Sequence, residues 1–182
     1  MPRYLPVQLD AASDPIKKVY SEMEEDIGFI PNFIKTLAHS GNFLKDVADL
    51  YRGLMGETSL SERIRQLAIL KTCKLNRCQY TVASYSELAQ KEGWTNEQIE
   101  AIDDYVNSDL FNYYEKEVLQ LAEQITEAPD EIQDEFWAQL NNHYTSDQVV
   151  ELVTLIGFFN MINRFILALQ VDPDLEFSSQ KA

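Results

Sequence analysis

Residues 59–93, SLSERIRQLAILKTCKLNRCQYTVASYSELAQKEG, indicate the fold class of this 182-residue chain. A capping box at residues 59–62 opens the stretch, and apolar side chains then recur every three or four residues, the period of an α-helix. Asn76-Arg77 interrupts the pattern, and a second helix is predicted from about Cys78 to Glu92, where a glycine follows. The stretch therefore predicts two helices joined by a tight turn, with Cys78 at the start of the second.

The helical period continues on both sides of this pair. Caps, prolines and glycines divide the chain into predicted helical segments, which run over Ser13–Gly28, Phe33–Leu37, Gly41–Gly56, Ser59–Asn76, Cys78–Glu92, Thr95–Tyr105, Val118–Ile125, Ile132–Leu140 and Thr145–Leu169. No alternating run of Val, Ile or Thr between hairpin turns indicates a strand. We therefore predict an all-α single domain spanning 1–182, a bundle of about eight or nine helices. It has an extended arm at 1–12 and a loose tail at 172–182.

The composition is that of an acidic globular protein. Hydrophobic residues make up 45% and charged residues 25%, the ordinary range for a chain that folds around a core. The 30 acidic and 15 basic residues give a formal charge of −15, and such a surface repels nucleic-acid phosphates. Two cysteines five positions apart provide no disulfide framework, and residues 1–10 contain no apolar run typical of a signal peptide. We expect a cytoplasmic protein that does not bind nucleic acid.

The last segment, Val149–Leu169, is the most apolar part of the chain. It contains Glu151 and Arg164 as well as two asparagines, so we do not expect it to span a membrane. Apolar residues cover most of its circumference, which is typical of a helix at the centre of a bundle or in a subunit interface. We expect both, and hence a homo-oligomer. Each charged residue needs a partner elsewhere, because an unpaired buried charge is costly, and we place Arg164 near the pocket of Cys78.

Cys78 is the candidate reactive residue. Unpaired amide groups at a helix N-terminus and the neighbouring Arg77 both stabilise a thiolate. Helical spacing places Thr81 and Tyr85 on the same face as Cys78, so that two hydroxyl groups would flank the thiol in a small polar site. The alternative is a buried structural cysteine, since cysteine is among the most often buried residue types.

Other kinds of site have weak support. His39 and His143 lie near turns and are expected to have surface or capping roles. No set of His, Cys or carboxylate residues has metal-ligand spacing, and the sequence contains neither a glycine-rich phosphate loop nor a nucleophile elbow. We therefore predict no metal and no organic cofactor.

A pattern around Cys78 resembles the core of the alkylhydroperoxidase D-like, or carboxymuconolactone decarboxylase-like, family: Ser61-Glu62-Arg63…Leu67…Leu70…Cys78-Gln79-Tyr80-Thr81…Tyr85…Ala89…Gly93. The break at Ile30-Pro31-Asn32-Phe33, and Glu151-Leu152 leading to Asn163-Arg164, are similar to its peroxidase-related branch. The resemblance covers residues 4–174 and implies an all-helical fold that forms homo-oligomers, often trimers or hexamers. In redox-active members, one cysteine of a Cys-x-x-Cys pair attacks a peroxide and the second resolves the sulfenic acid into a disulfide. A histidine and a glutamate move the protons.

This chain keeps only part of that catalytic set. Cys78 matches the first cysteine, whereas Thr81 stands at the position of the second. Tyr85 stands where the histidine belongs, and Gln66 where the glutamate belongs. Threonine cannot form a disulfide, a tyrosine with the ordinary pKa of about 10 is a poor base, and glutamine cannot take up a proton. Cys73 is expected to face the core and is a weak candidate for a resolving thiol.

We therefore predict a peroxidase-related antioxidant oxidoreductase of this family with at most single-cysteine chemistry. Cys78 would be oxidised once and then reduced by a small thiol or a protein reductant. The alternative is an inactive member that acts as an oligomeric scaffold or binds a small apolar ligand at the former active site. Decarboxylation of a lactone acid is a third hypothesis and the least supported, because its proton transfer would also need the missing groups.

Overall fold

A computed structural model describes residues 1–41 and 43–174 of the chain. Within these residues it contains nine α-helices and no strand. The helices are α1 Asp14–Ile27, α2 Asn32–Leu37, α3 Leu44–Met55, α4 Glu62–Leu75, α5 Gln79–Lys91, α6 Asn96–Ala101, α7 Tyr113–Glu127, α8 Asp134–Leu140 and α9 Ser146–Leu169. Single 3-10 turns follow α2 and α6, at Ala38–Ser40 and Ile102–Asp104. The all-α prediction is confirmed.

Contacts divide the described chain into two compact units, of which the first comprises residues 1–58 and 165–174. In this unit α1 packs against α3, and the ring of Tyr20 on α1 is fully buried. Residues 1–12 form no helix but are held by backbone hydrogen bonds, such as the one from the Val7 amide to the Lys35 carbonyl at 3.0 Å.

The segment after α9 begins with an ordered contact. The Asp174 carboxylate is buried and accepts a hydrogen bond from the Asn32 amide at 2.7 Å. The first residues of the predicted loose tail are thus held in the first unit. Residues 175–182, the rest of that prediction, lie outside the described residues.

The second unit, Ser59–Arg164, is built around α4. This helix packs against α7 and α5, and residues 66–73 are all buried. Eight consecutive residues make more than two full turns, so α4 is enclosed on every side over this length. The sequence instead predicts that the last helix, α9, lies at the centre of the bundle and in a subunit interface. In the structure α9 has a buried face and an exposed one, with Val150, Val153 and Met161 exposed.

The last helix has the length and composition of a membrane span. It is the one helix of the described chain that meets both criteria, and half of its most apolar stretch is buried inside the protein. A core helix of a protein that never enters a membrane meets the same criteria, so this finding carries little weight.

The helix α4 begins two residues later than predicted. The N-cap of α4 is Ser61, whose hydroxyl accepts a hydrogen bond from the Ile64 amide at 3.4 Å. The expected cap, Ser59, instead donates its amide and its hydroxyl to Glu151, at 3.1 and 2.9 Å. Ser59 is therefore the partner that the Glu151 carboxylate was expected to need. These hydrogen bonds connect α9 to the residues just before α4.

The turn between α4 and α5 is a Schellman motif. The Cys78 amide donates to the Cys73 carbonyl at 3.2 Å, and the Arg77 amide donates to the Lys74 carbonyl at 2.9 Å. These are the two hydrogen bonds that define the motif, and they require a left-handed residue between them. Arg77 occupies that position with φ of 55°. The motif therefore fixes the backbone of Cys78 directly after α4 ends.

Replacing Arg77 by glycine should raise the free energy of unfolding by about 0.5–1 kcal/mol, because a side chain with a Cβ is strained in the left-handed region and glycine is not. Urea denaturation measures the change. Arg77→Ala is the matched control, since it removes the charge but keeps the Cβ. An equal gain in both variants would contradict the backbone explanation.

Candidate functional site

Cys78 lies at the junction of α4 and α5. It is the N-cap of α5 and is 0% exposed. Its carbonyl accepts the first hydrogen bond of that helix, from Val82 at 3.0 Å. Its thiol makes no capping hydrogen bond within α5, all of whose residues are described. Arg77, expected to act on the thiolate, is exposed to solvent, where water screens its charge.

A buried polar cluster lies beside this cysteine and is formed by Thr81, Asn163 and Cys73. The Thr81 hydroxyl is within hydrogen-bond distance of two acceptors, the Asn163 Oδ1 at 2.6 Å and the Cys78 carbonyl at 3.1 Å. The Asn163 amide donates to the sulfur of Cys73 at 3.7 Å. The Thr81 hydroxyl hydrogen is therefore shared between Asn163 and the Cys78 carbonyl, and the Asn163 amide is directed at the Cys73 sulfur.

Cys73 is fully buried, as the sequence leads us to expect. Burial raises the pKa of its thiol to about 12, although hydrogen bonds with Thr81 and Asn163 act in the opposite direction. A negative charge on Cys78 also raises this pKa, by like-charge repulsion. Both cysteines are free thiols.

The two other motif positions have partners of different kinds. The ring of Tyr85 is buried and packs edge-on against Phe159, with centroids 5.0 Å apart. The Gln66 Nε2 donates to the Glu92 carboxylate at 3.1 Å, while its Oε1 has no hydrogen-bond partner within residues 1–41 and 43–174. Burial and the nearby Glu62 carboxylate raise the pKa of Glu92. Gln66 therefore joins a group of carboxylates.

Arg164 contacts the α4–α5 turn through an intermediary. Its guanidinium donates to the carbonyl and the Oδ1 of Asn160, at 3.0 and 2.7 Å. The same Oδ1 accepts from the Asn76 side chain at 2.8 Å, and Asn76 is the C-cap of α4. Arg164 thus supports, from an exposed position, the turn that leads into Cys78.

The structure contains a second polar cluster, around Glu117 and His143, that the sequence does not predict. The Glu117 carboxylate on α7 is 2% exposed and lies 2.9 Å from the Nδ1 of His143. The Gln139 side chain also donates to it, at 2.8 Å. The rings of Tyr113 and Tyr114 pack edge-on against the imidazole. His143 therefore faces a buried carboxylate. No local motif predicts this pair, because Glu117 lies 26 positions earlier in the chain.

Two open pockets in the second unit have volumes of about 480 and 510 Å³. Residues of α7 line both of them. Glu117 is at the wall of the first, and His143 is at the wall of the second together with the ion pair of Arg63 and Glu115. Within the described chain no group of three or more His, Cys, Asp or Glu side chains could hold a metal ion.

Comparison with known proteins agrees with this architecture. Residues 41–106 match the carboxymuconolactone decarboxylase family. The chain is 28% identical over 114 residues to the uncharacterized protein YdfG of Bacillus subtilis, across 62% of this chain and 78% of YdfG. An uncharacterized peroxidase-related protein from Ralstonia eutropha with an alkylhydroperoxidase AhpD core superimposes with a TM-score of 0.81 at 23% identity, covering 97% of this chain and 94% of that one. The debrominase Bmp8, as a cysteine-to-alanine variant in complex with 2,3,4-tribromopyrrole, superimposes with a TM-score of 0.81 at 18% identity, covering 96% and 93%.

These likenesses define the fold of the protein. The fold is that of the alkylhydroperoxidase D-like helical proteins, over nearly the whole chain. Residues 41–106, which include Cys73, Cys78 and Tyr85, match the model of the carboxymuconolactone decarboxylase family. The family resemblance read from the sequence is confirmed.

Proposed function

We propose that this protein is a thiol-dependent, peroxidase-type antioxidant oxidoreductase in which Cys78 reduces small hydroperoxides. The observation that carries the proposal is the position of Cys78, held by the Schellman motif as the N-cap of α5 next to a buried polar cluster. A helix N-terminus stabilises negative charge, so a thiolate formed there is favoured over one in the apolar surroundings alone.

The reaction consists of one oxidation and one reduction of the same sulfur. The Cys78 thiolate attacks the terminal oxygen of the hydroperoxide, the O–O bond breaks, and the leaving alkoxide takes a proton from water to become an alcohol. The resulting sulfenic acid is attacked by an external thiol, which releases water and forms a mixed disulfide. A second external thiol then releases Cys78 and carries away the disulfide.

The neighbouring side chains limit this chemistry. The Thr81 hydroxyl can position a substrate oxygen by a hydrogen bond but cannot act as a base at neutral pH. Gln66 is engaged by Glu92 and carries no titratable proton. Protons must therefore come from solvent, so we propose slow turnover. Because Cys78 is 0% exposed, hydrogen peroxide and small organic hydroperoxides fit the site better than bulky lipid peroxides.

The proposal extends to assembly and location. We propose a cytoplasmic homo-oligomer, a trimer or hexamer, that receives electrons from a small thiol or a protein reductant. The exposed apolar side chains of Val150, Val153 and Met161 on α9 support association. The net charge of −15 supports a protein that does not bind nucleic acid.

Hydrogen peroxide consumption in the presence of excess dithiothreitol tests the function. Cys78→Ser is expected to lower the rate to the background without protein, because serine cannot form a sulfenic acid. Cys73→Ser is the matched control and should retain turnover, since the external thiol reduces Cys78 directly. Release of bromide from 2,3,4-tribromopyrrole in the same buffer shows whether the thiol acts on a halogenated ring instead.

Equal peroxide rates for the wild-type protein and Cys78→Ser would contradict the proposal. That outcome would favour the alternative of an inactive family member that serves as a scaffold or binds a small ligand.

A further inference from the structure

The two cysteines occupy related positions of the Schellman motif. Cys73 is the third residue from the end of α4, and Cys78 is the second residue after its C-cap. These are the two positions whose side chains typically touch in this motif. The backbone hydrogen bond of 3.2 Å from the Cys78 amide to the Cys73 carbonyl holds the two residues together. Cys73 and Cys78 are therefore neighbours in space although they are five positions apart in the sequence.

We propose that Cys73 is the resolving thiol of this protein and forms a reversible disulfide with Cys78 across the α4–α5 turn. The proposal rests on the function proposed for Cys78 and replaces the usual second cysteine, whose position is held by Thr81. Disulfides require Cα atoms about 4.4–6.8 Å apart, and the hydrogen bond from the Cys78 amide to the Cys73 carbonyl at 3.2 Å brings the two backbones together at this turn.

The closing step balances as follows. The Cys73 thiolate attacks the sulfur of the Cys78 sulfenic acid, the new S–S bond forms, and the S–O bond breaks. Hydroxide leaves and takes up the proton released by Cys73, so that one water is formed. A hydroperoxide is the oxidant, and it is reduced to an alcohol. Two molecules of an external thiol restore the pair and leave as their own disulfide.

The surroundings of Cys73 determine when this step occurs. The pKa of its thiol is raised to about 12 by burial, so only a minute fraction is thiolate at neutral pH. External thiols therefore compete effectively for the sulfenic acid when they are plentiful. Closure onto Cys73 dominates when they are scarce and protects Cys78 from further oxidation. Because the fraction of thiolate rises tenfold with each pH unit below this pKa, closure should be about a hundredfold faster at pH 9 than at pH 7.

An equilibrium measurement tests the pair without any peroxide. Wild-type protein, Cys73→Ser and Cys78→Ser are incubated in oxidised glutathione until their composition is constant, then quenched in acid and weighed by mass spectrometry. The wild type is expected to lose the mass of two hydrogen atoms, whereas each single variant gains a glutathione or stays reduced. Glutathione adducts or free thiols in the wild type would overturn the proposal.

A second measurement follows the sulfenic acid itself. After hydrogen peroxide treatment without external thiol, dimedone should label Cys73→Ser at Cys78 and label the wild type at least tenfold less. Equal labelling would also overturn the proposal. The two experiments separate the hypotheses. A disulfide at equilibrium without peroxide consumption refutes the proposed function and keeps the pair. Consumption without a disulfide at equilibrium keeps the function and refutes the pair.

Discussion

Replacing His143 by alanine is expected to lower the free energy of unfolding by about 2–4 kcal/mol, because it removes a hydrogen-bond partner of the buried Glu117 carboxylate. The Glu117 carboxylate is 2% exposed and would keep its hydrogen bonds with Gln139 and Tyr113 but lose the one with the imidazole. The imidazole also packs edge-on against Tyr113 and Tyr114, so its removal leaves a gap beside the two rings. Urea denaturation followed by far-UV circular dichroism measures the loss.

Two controls define the cause of this loss. His39→Ala changes the other histidine of the chain, which is exposed and bonds the Leu5 carbonyl, and should shift stability by no more than about 0.5 kcal/mol. Adding Glu117→Gln to His143→Ala should recover part of the loss, since a neutral amide costs less to bury than a charge. A double variant no more stable than His143→Ala would show that packing, rather than charge, holds this cluster.

Replacing Gln66 by glutamate, which restores the residue expected from the family pattern, should lower the free energy of unfolding by about 2–3 kcal/mol at pH 7. Gln66 is buried and its Nε2 donates to Glu92. The pKa of Glu92 is already raised by burial and by Glu62. A third carboxylate would remove the hydrogen-bond donor and add repulsion at the same point.

The pH dependence of this loss has a definite sign. A carboxyl group whose pKa is raised in the folded state is protonated there at a pH where the unfolded chain is still ionised, so its penalty is present at high pH and disappears as pH falls. The stability gap between the wild type and Gln66→Glu should therefore shrink from pH 7 towards pH 4, measured by urea denaturation at each pH.

Gln66→Met serves as the matched control for that experiment. It has a similar length and no charge, and it removes an Oε1 that has no partner in the described part of the chain, so we expect a change within about 1 kcal/mol at every pH. A gap for Gln66→Glu that is independent of pH would contradict the electrostatic explanation. If this variant is also no faster with peroxide, the glutamate alone does not restore the family's proton transfer.

Local sequence signals were sufficient to predict where most of the helices lie. The period of apolar residues and the end signals predict the α4–turn–α5 unit to within a few residues of its observed bounds. They also place Cys78 at the start of α5. The N-cap of α4 was predicted two residues early, because Ser59 is held by Glu151 from 92 positions away. A cap and a loop serine with a distant partner look alike in a sequence.

The chemical site was less accessible to sequence reasoning. Helical spacing grouped Cys78 with Thr81 and Tyr85, but the Thr81 hydroxyl lies 2.6 Å from Asn163 on α9, and Tyr85 packs against Phe159 of the same helix. The pairing of Glu117 with His143 likewise joins α7 to a turn far along the chain. Each of these contacts depends on how helices pack, which a local pattern does not encode.

The sequence by itself therefore determined that this chain is all-helical, where its helices lie and which cysteine begins α5, because helix formation and capping depend on residues within one or two turns of each other. Only the tertiary structure decided that α4 rather than α9 is enclosed, that Arg164 supports the turn through Asn160, and that Cys78 is fully buried beside Cys73. Burial and the partners of a polar group are set by distant segments, and burial is what raises the pKa of Cys73. The reactivity proposed for the pair thus depends on packing that no local motif specifies.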